Sequence, residues 1–241
     1  MKRVGSSMKQ SDFGENIKVV AHRGGAGLAP ENTVTAFARA EEMGADAIEL
    51  DVRLSSDGRI VVIHDPDLYR VYGDRRFVSQ LTYEEISAVK LPGGENTPDL
   101  ENILRDFKID FFVEIKTPSA VPKIVELFRK QPSYVRRCKV ISFFHESLKI
   151  LKGELTSVKT GALLSGFPVD PVSVVKACSA DFLSLDHGGI QVSYVSLCHS
   201  AGVPVNVWTV NFPGDISKMI SMNVDSITSD RPDLVLKALG R

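Results

Sequence analysis

The sequence predicts a single α/β barrel, and three observations carry that expectation. From residue 18 onward, short β-branched runs alternate with amphipathic stretches. The last five strand-like runs start about 22 residues apart, room for one strand, one helix and two short loops. The length of 241 residues suits one barrel of eight such units. Repeated βα units imply parallel pairing, because parallel neighbours are joined only through a crossover of helix length.

Taken in order, residues 1–17 carry basic side chains without an apolar run, so they read as a mobile tail or expression remnant and not as a secretory signal. KVVA (18–21) is the first strand. Asn32 or Thr33 caps a helix that runs to Met43, with Val34, Phe37, Ala38 and Glu41 at helical spacing and Gly44 as its stop. AIELDVRL (47–54) and RIVVIH (59–64) are separated only by Ser55-Ser56-Asp57-Gly58. That is too short for a crossover, so the two runs form an antiparallel hairpin, and eight parallel strands remain of nine strand-like runs. Pairing Leu54 with Arg59 sets Glu49 opposite His64. Residues 66–97 break the alternation and read as an insertion at the barrel mouth, ending where Thr97 caps and Pro98 opens a helix with Leu100, Ile103, Leu104 and Phe107 as its stripe. Later strands begin near Phe111, Cys138, Thr160, Phe182, Pro204 and Ser226, and a last helix spans Pro232–Leu239 with Leu234, Val235 and Ala238 on one face. Residues 18–241 thus form one domain.

Composition narrows the function. A net charge of −1 without any Lys/Arg-rich block excludes a basic nucleic-acid surface, and no apolar run approaches bilayer length. Cys138, Cys178 and Cys198 are odd in number, widely spaced and outside any CxxC, so they read as buried structural thiols in a reducing cytoplasm.

Functional residues of such a barrel collect at the carboxyl ends of its strands. His22-Arg23 end the first strand, Glu49 and Asp51 the second, His64-Asp65 the hairpin, and Glu114-Lys116 the run FFVEIK; Ser142, Trp208 and Asp230 end later ones. Glu49 and Asp51 share one face because strand side chains alternate. Two carboxylates on one face repel unless neutralised. With Glu114 they form an oxygen set suited to Mg²⁺, Ca²⁺ or Mn²⁺; the competing reading is a salt-bridge network with Arg23, Arg53 and Lys116. His22 and His64 are the natural proton-transfer pair, whereas His145, His187 and His199 read as structural. Arg23 and Lys116 can hold a phosphate. HRGGAG is neither GxGxxG nor a Walker motif, and its glycines let the backbone turn beside the site. Together these residues point to hydrolysis or transfer at a phosphate ester.

The ordered blocks HRG (22–24), PENT (30–33), ELDV (49–52), VVIHD (61–65), TPDL (97–100), VEIK (113–116), ISF (141–143), VWTVN (207–211) and ITSDRPD (227–233) resemble the glycerophosphodiester phosphodiesterase family. The resemblance implies a distorted (β/α)₈ TIM barrel with an insertion after the HD block. It implies metal-dependent cleavage of a small-molecule glycerophosphodiester to sn-glycerol 3-phosphate and an alcohol. The metal ligands then fall on Glu49, Asp51 and Glu114, the acid–base pair on His22 and His64, phosphate contacts on Arg23 and Lys116, and an aromatic wall for the glycerol on Trp208. Glu31 and Asn32 match a block near the metal, as ligand or support, and Asp65 adjoins His64. Val71-Tyr72 stand where the family often has two threonines, so the leaving-group pocket is expected to differ. The nucleophile is either water or the substrate's own hydroxyl. Two rivals are a phospholipase-type enzyme that stops at a cyclic phosphate, which calls for an apolar rim or charged anchor that the sequence does not display, and a non-catalytic phosphate-binding barrel.

Overall fold

β-Branched and aromatic runs make eleven strands in the computed structural model, which describes residues 17–91 and 94–241. They are β1 (Lys18–Ala21), β2 (Ala47–Leu54), β3 (Ile60–Val62), β4 (Asp67–Leu68), β5 (Asp74–Phe77), β6 (Asp110–Ile115), β7 (Cys138–Ser142), β8 (Lys159–Leu164), β9 (Phe182–Asp186), β10 (Val205–Trp208) and β11 (Ser226–Ser229). Eight are parallel in the order β1-β11-β10-β9-β8-β7-β6-β2, and Val20 pairing with Ala47 closes the ring. This is the expected (β/α)₈ TIM barrel. The tail lies outside the described residues except for Ile17, which is buried in the core and so belongs to the barrel.

Strand alternation sorts the core. Ile48, Leu50 and Val52 of β2 face the helices, as do Phe111, Val113 and Ile115 of β6. The opposite face points into the barrel, where Val20, Ala47, Phe112, Ile141, Leu163 and Phe182 fill the interior and Trp208 packs on them. Gly161 is required there, because a Cβ at that position would come within 2.3 Å of the Phe182 ring.

The hairpin is antiparallel as expected, but its register differs by one residue. Leu54 pairs with Ile60 and Val52 with Val62. Ser55 closes the turn instead, donating its N–H to the Arg59 carbonyl at 3.0 Å, while its hydroxyl accepts from the Arg59 N–H at 2.9 Å. The loop is therefore Ser56-Asp57-Gly58, with Gly58 at φ +78, the three-residue hairpin that ends in a left-handed glycine. Its ladder ends where the Ile63 N–H meets the Asp51 carbonyl at 2.9 Å, so His64 lies beyond it and is not opposite Glu49.

Helix details shift for similar local reasons. Thr33 caps Val34–Met43, and this helix buries Ala36, Phe37 and Ala40 while Val34 is exposed. The helix Leu100–Asp106 is capped by Asp99, whose carboxylate accepts from the Glu101 and Asn102 N–H groups, and not by Thr97. The stripe Leu100, Ile103, Leu104 and Phe107 is buried as expected. The last helix, Pro232–Ala238, buries Val235 and Leu236 in place of Leu234 and Ala238. The insertion holds β4, β5 and the helix Tyr83–Ala88, seated over Val61, Ile63, Leu68, Val78, Leu81 and Ile86. No helix among the described residues is long and apolar enough to cross a membrane, and all three cysteines are buried free thiols.

Candidate active site

β2 and β6 are neighbours in a register that sets Asp51 beside Glu114, with Glu49 two residues back on the same face as Asp51. One oxygen from each of Glu49, Asp51 and Glu114 lies within 4.8 Å of the others. The three residues are 2%, 0% and 8% exposed, so water cannot screen their repulsion. Burial and the Asp51 charge push Glu49 and Glu114 up from the usual carboxylate range. Burial works on Asp51 in the same direction, but Arg23 and Lys116 outweigh it and hold Asp51 down.

Cations and a bent loop surround this cluster. Lys116 Nζ donates to Glu114 Oε1 at 2.8 Å and stands 3.5 Å from Asp51 Oδ1. Arg23 Nε lies 3.3 Å from Asp51 Oδ2, and its backbone N–H donates to Glu49 Oε2 at 3.0 Å. That geometry needs Arg23 at φ +51 and Gly24 at φ +83, and a Cβ on Gly24 would sit 2.7 Å from the Ala36 Cβ. Asn32, at φ +56, donates Nδ2 to Asp51 Oδ2 at 3.0 Å.

The salt-bridge reading accounts for only part of this set. Among the described residues, Glu49 Oε1, Asp51 Oδ1 and Asn32 Oδ1 are buried without a hydrogen-bond donor. Leaving such acceptors unpaired costs about 1–3 kcal/mol each. The Glu49, Asp51 and Glu114 oxygens that do converge fit a divalent cation such as Mg²⁺ or Ca²⁺.

The two histidines flank the cluster in different environments. His22 Nδ1 donates to Asp230 Oδ1 at 2.6 Å, and its Nε2 is 3.8 Å from Glu49 Oε2. Burial would lower His22, but Asp230 and Glu49 prevail and raise it. His64 Nδ1 donates to Asp65 Oδ1 at 2.8 Å. Burial dominates there, and the Lys116 and Arg23 charges add to it, so His64 is lowered.

His22, Arg23, Glu49, His64, Glu114, Lys116 and Trp208 line one pocket, with Asp51 beneath and Glu31, Asn32 and Asp65 behind. Every site residue expected from sequence thus gathers at one end of the barrel. Trp208 stands edge-on to Phe143, ring centroids 5.6 Å apart. His145, His187 and His199 bond instead to the Leu163 carbonyl, the Trp208 carbonyl and Asp225. Three contributors lie outside the catalytic, phosphate-binding and metal sets expected from the sequence. Asp230 orients His22 and is held by Asn211 Nδ2 at 2.7 Å. Arg53 Nε donates to the His64 carbonyl at 2.8 Å. Arg70 of the insertion donates to both Glu31 and Asp65. Two of them carry a sequence signal, Asp230 as a strand end and Arg53 as a cation on the strand of Glu49 and Asp51.

A model of the glycerophosphoryl diester phosphodiesterase family matches residues 22–234. The chain is 34% identical to a glycerophosphodiester phosphodiesterase of Caldanaerobacter subterraneus subsp. tengcongensis over 90% of this chain and 96% of that protein. A solved glycerophosphodiester phosphodiesterase of Parabacteroides distasonis is 30% identical with a TM-score of 0.80, covering 93% of this chain and 97% of that one. An Oleispira antarctica phosphodiesterase, solved with the product sn-glycerol-3-phosphate, is 23% identical with a TM-score of 0.87 over 93% of this chain and 97% of its own, and shares the fold.

Proposed function

The chain belongs to the glycerophosphoryl diester phosphodiesterase family, and from that premise we propose that it hydrolyses glycerophosphodiesters to sn-glycerol 3-phosphate and an alcohol, using His22 and His64 as acid and base beside a divalent cation on Glu49, Asp51 and Glu114. One observation carries the reading. Three buried carboxylates converge within 4.8 Å, between two histidines shifted in opposite directions, His64 lowered by burial and His22 raised by Asp230 and Glu49.

The bound cation would supply Lewis-acid charge to the phosphoryl oxygens. Arg23 and Lys116 hold the phosphodiester anion and oppose charge developing on it. His64, lowered by burial, takes a proton from the attacking hydroxyl. His22, raised by Asp230 and Glu49 against its burial, gives one to the departing alkoxide. Asp230 keeps the His22 Nδ1–H in place, so Nε2 faces the pocket. Trp208 and Phe143 offer apolar walls for the glycerol carbons. The barrel and its insertion act as one catalytic unit, and the three buried free thiols support a reducing, cytoplasmic setting.

The test is release of sn-glycerol 3-phosphate from a panel of glycerophosphodiesters, before and after EDTA and with Mg²⁺ or Ca²⁺ restored. Activity that survives complete metal removal would overturn the carboxylate assignment.

A further inference from the structure

We propose that the barrel binds a second ligand at the end away from the hydrolytic site: a small monocarboxylate with an apolar body, its carboxylate on Lys139 and its body against Phe112 and Phe182. The inference is independent of the hydrolytic reading. Strand alternation sends every second residue of a barrel strand inward. Ile141, Leu163 and Val20 fill the interior, and nearer the starts of the same strands Lys139, Lys159 and Lys18 hold that same face. Three lysines therefore meet at the amino-terminal mouth, where they line a cavity of about 390 Å³. Small-molecule sites are typically about 300–1,000 Å³.

Two of these lysines are paired and the third is not. Lys18 Nζ donates to Asp46 Oδ1 at 3.2 Å, and Lys159 Nζ to Asp181 Oδ1 at 2.9 Å. Both are exposed, whereas Lys139 is half-buried. Among the described residues Lys139 Nζ has no hydrogen-bond acceptor and no ion-pair partner. It lies 4.8 Å from the Phe112 ring centroid and 6.0 Å from that of Phe182. Burial lowers its pKa against the pull of Asp110 and Asp225. Two aromatic faces offset only part of the cost of desolvating an ammonium. A carboxylate completes its bonding with a charge-assisted hydrogen bond.

The rest of the cavity selects the ligand. Asp181 and Asp225 stand in its wall, so a dianion such as a phosphate ester meets two negative charges for one free ammonium. A monocarboxylate is balanced by Lys139 alone. Phe112 and Phe182 meet edge to face with centroids 5.7 Å apart, and with Pro204 they give the body an apolar wall. At the inner end Asn206 lines both this cavity and the active-site pocket. Its amide is already engaged, donating to Ser184 Oγ at 2.8 Å and accepting from Ser226 Oγ at 2.6 Å and Thr228 Oγ1 at 3.1 Å. Lys139 is thus the group left to take the anion.

Isothermal titration calorimetry on the full chain with 3-phenylpropionate, its neutral analogue 3-phenylpropanol and phenyl phosphate tests this. The expected result is saturable one-to-one binding of the acid, with the alcohol and the phosphate at least about tenfold weaker. Lys139→Met should weaken the acid about tenfold, while hydrolysis stays unchanged because the thioether still packs on both rings. Arg23 and Lys116 can also hold an anion, so acylation of lysines by acetic anhydride, mapped by mass spectrometry, locates the ligand and needs no variant. The acid should protect Lys139 and leave Lys116 as reactive as before. Protection of Lys116 in place of Lys139, equal affinity in Lys139→Met, or no saturable binding of the acid overturns the proposal. An alcohol or phosphate bound as tightly as the acid overturns it as well.

Discussion

Arg70 grips Glu31 with both terminal nitrogens, Nη2 to Oε1 at 2.6 Å and Nη1 to Oε2 at 2.8 Å. Its Nε donates to Asp65 Oδ2 at 2.6 Å. Glu31 also accepts from Arg23 Nη1 at 3.0 Å, and Asp65 accepts from His64. One side chain of the insertion therefore braces the partners of both Arg23 and His64. Removing it should loosen both without unfolding the barrel, since the Arg70 side chain is half exposed.

Arg70→Met should therefore lower kcat/KM by about 10–100-fold, the range seen when residues that orient site groups are removed. Arg70→Lys should recover only part of the loss, because a lysine cannot reproduce the two-oxygen fork. Steady-state kinetics beside a melting curve checks this. A variant with wild-type kinetics would show that the insertion does not brace the site.

His22 and His64 predict a bell-shaped pH dependence of kcat/KM, with His64 deprotonation as the acid limb and loss of the His22 proton as the alkaline limb. Burial depresses His22, and the Asp230 and Glu49 carboxylates overcome it. Asp230→Asn removes one of those raising partners, so the alkaline limb should move to lower pH. Replacing either histidine by alanine should cost about 10²–10⁴-fold in turnover. An alkaline limb unmoved in Asp230→Asn would separate Asp230 from His22 in function.

The crowded carboxylates predict stabilisation by a cation. Mg²⁺ or Ca²⁺ at one hundred times its Kd should add about 2.7 kcal/mol to unfolding free energy, visible as a higher Tm. Glu114→Gln should melt at nearly the same temperature with and without the cation. A wild-type Tm indifferent to both ions would count against the site, whatever the activity shows.

Acid stability should depend on Asp181. Burial disfavours its charge, yet Lys152 Nζ at 2.6 Å, the Thr160 N–H at 2.9 Å and Lys159 Nζ at 2.9 Å hold its carboxyl below the usual range. The unfolded chain binds this proton first as pH falls. The contribution is thus complete above about pH 3.9, the ordinary aspartate value, and is lost as pH falls through the lower folded value. Asp181→Asn should cost about 1.5–3 kcal/mol at neutral pH and little at strongly acid pH. Denaturant melts at both pH values decide it; the same loss at each would mean the charge is not the cause.

By itself the sequence determined what depends on local periodicity. Strand alternation put Glu49 and Asp51 on one face of their strand. The shortness of the Ser55–Gly58 link required a hairpin. Strand-end placement predicted the gathering of His22, Arg23, His64 and Trp208. Tertiary structure alone decided what depends on closure and on single hydrogen bonds. The Ser55 hydroxyl moved the hairpin by one residue, so His64 does not face Glu49. Ring closure brought Asp230 to His22 across 208 residues of chain. Folding of the insertion carried Arg70 onto Glu31, 39 residues away. Periodicity states which way a side chain points along its own strand; its neighbour across the barrel depends on register and closure, which no local pattern contains.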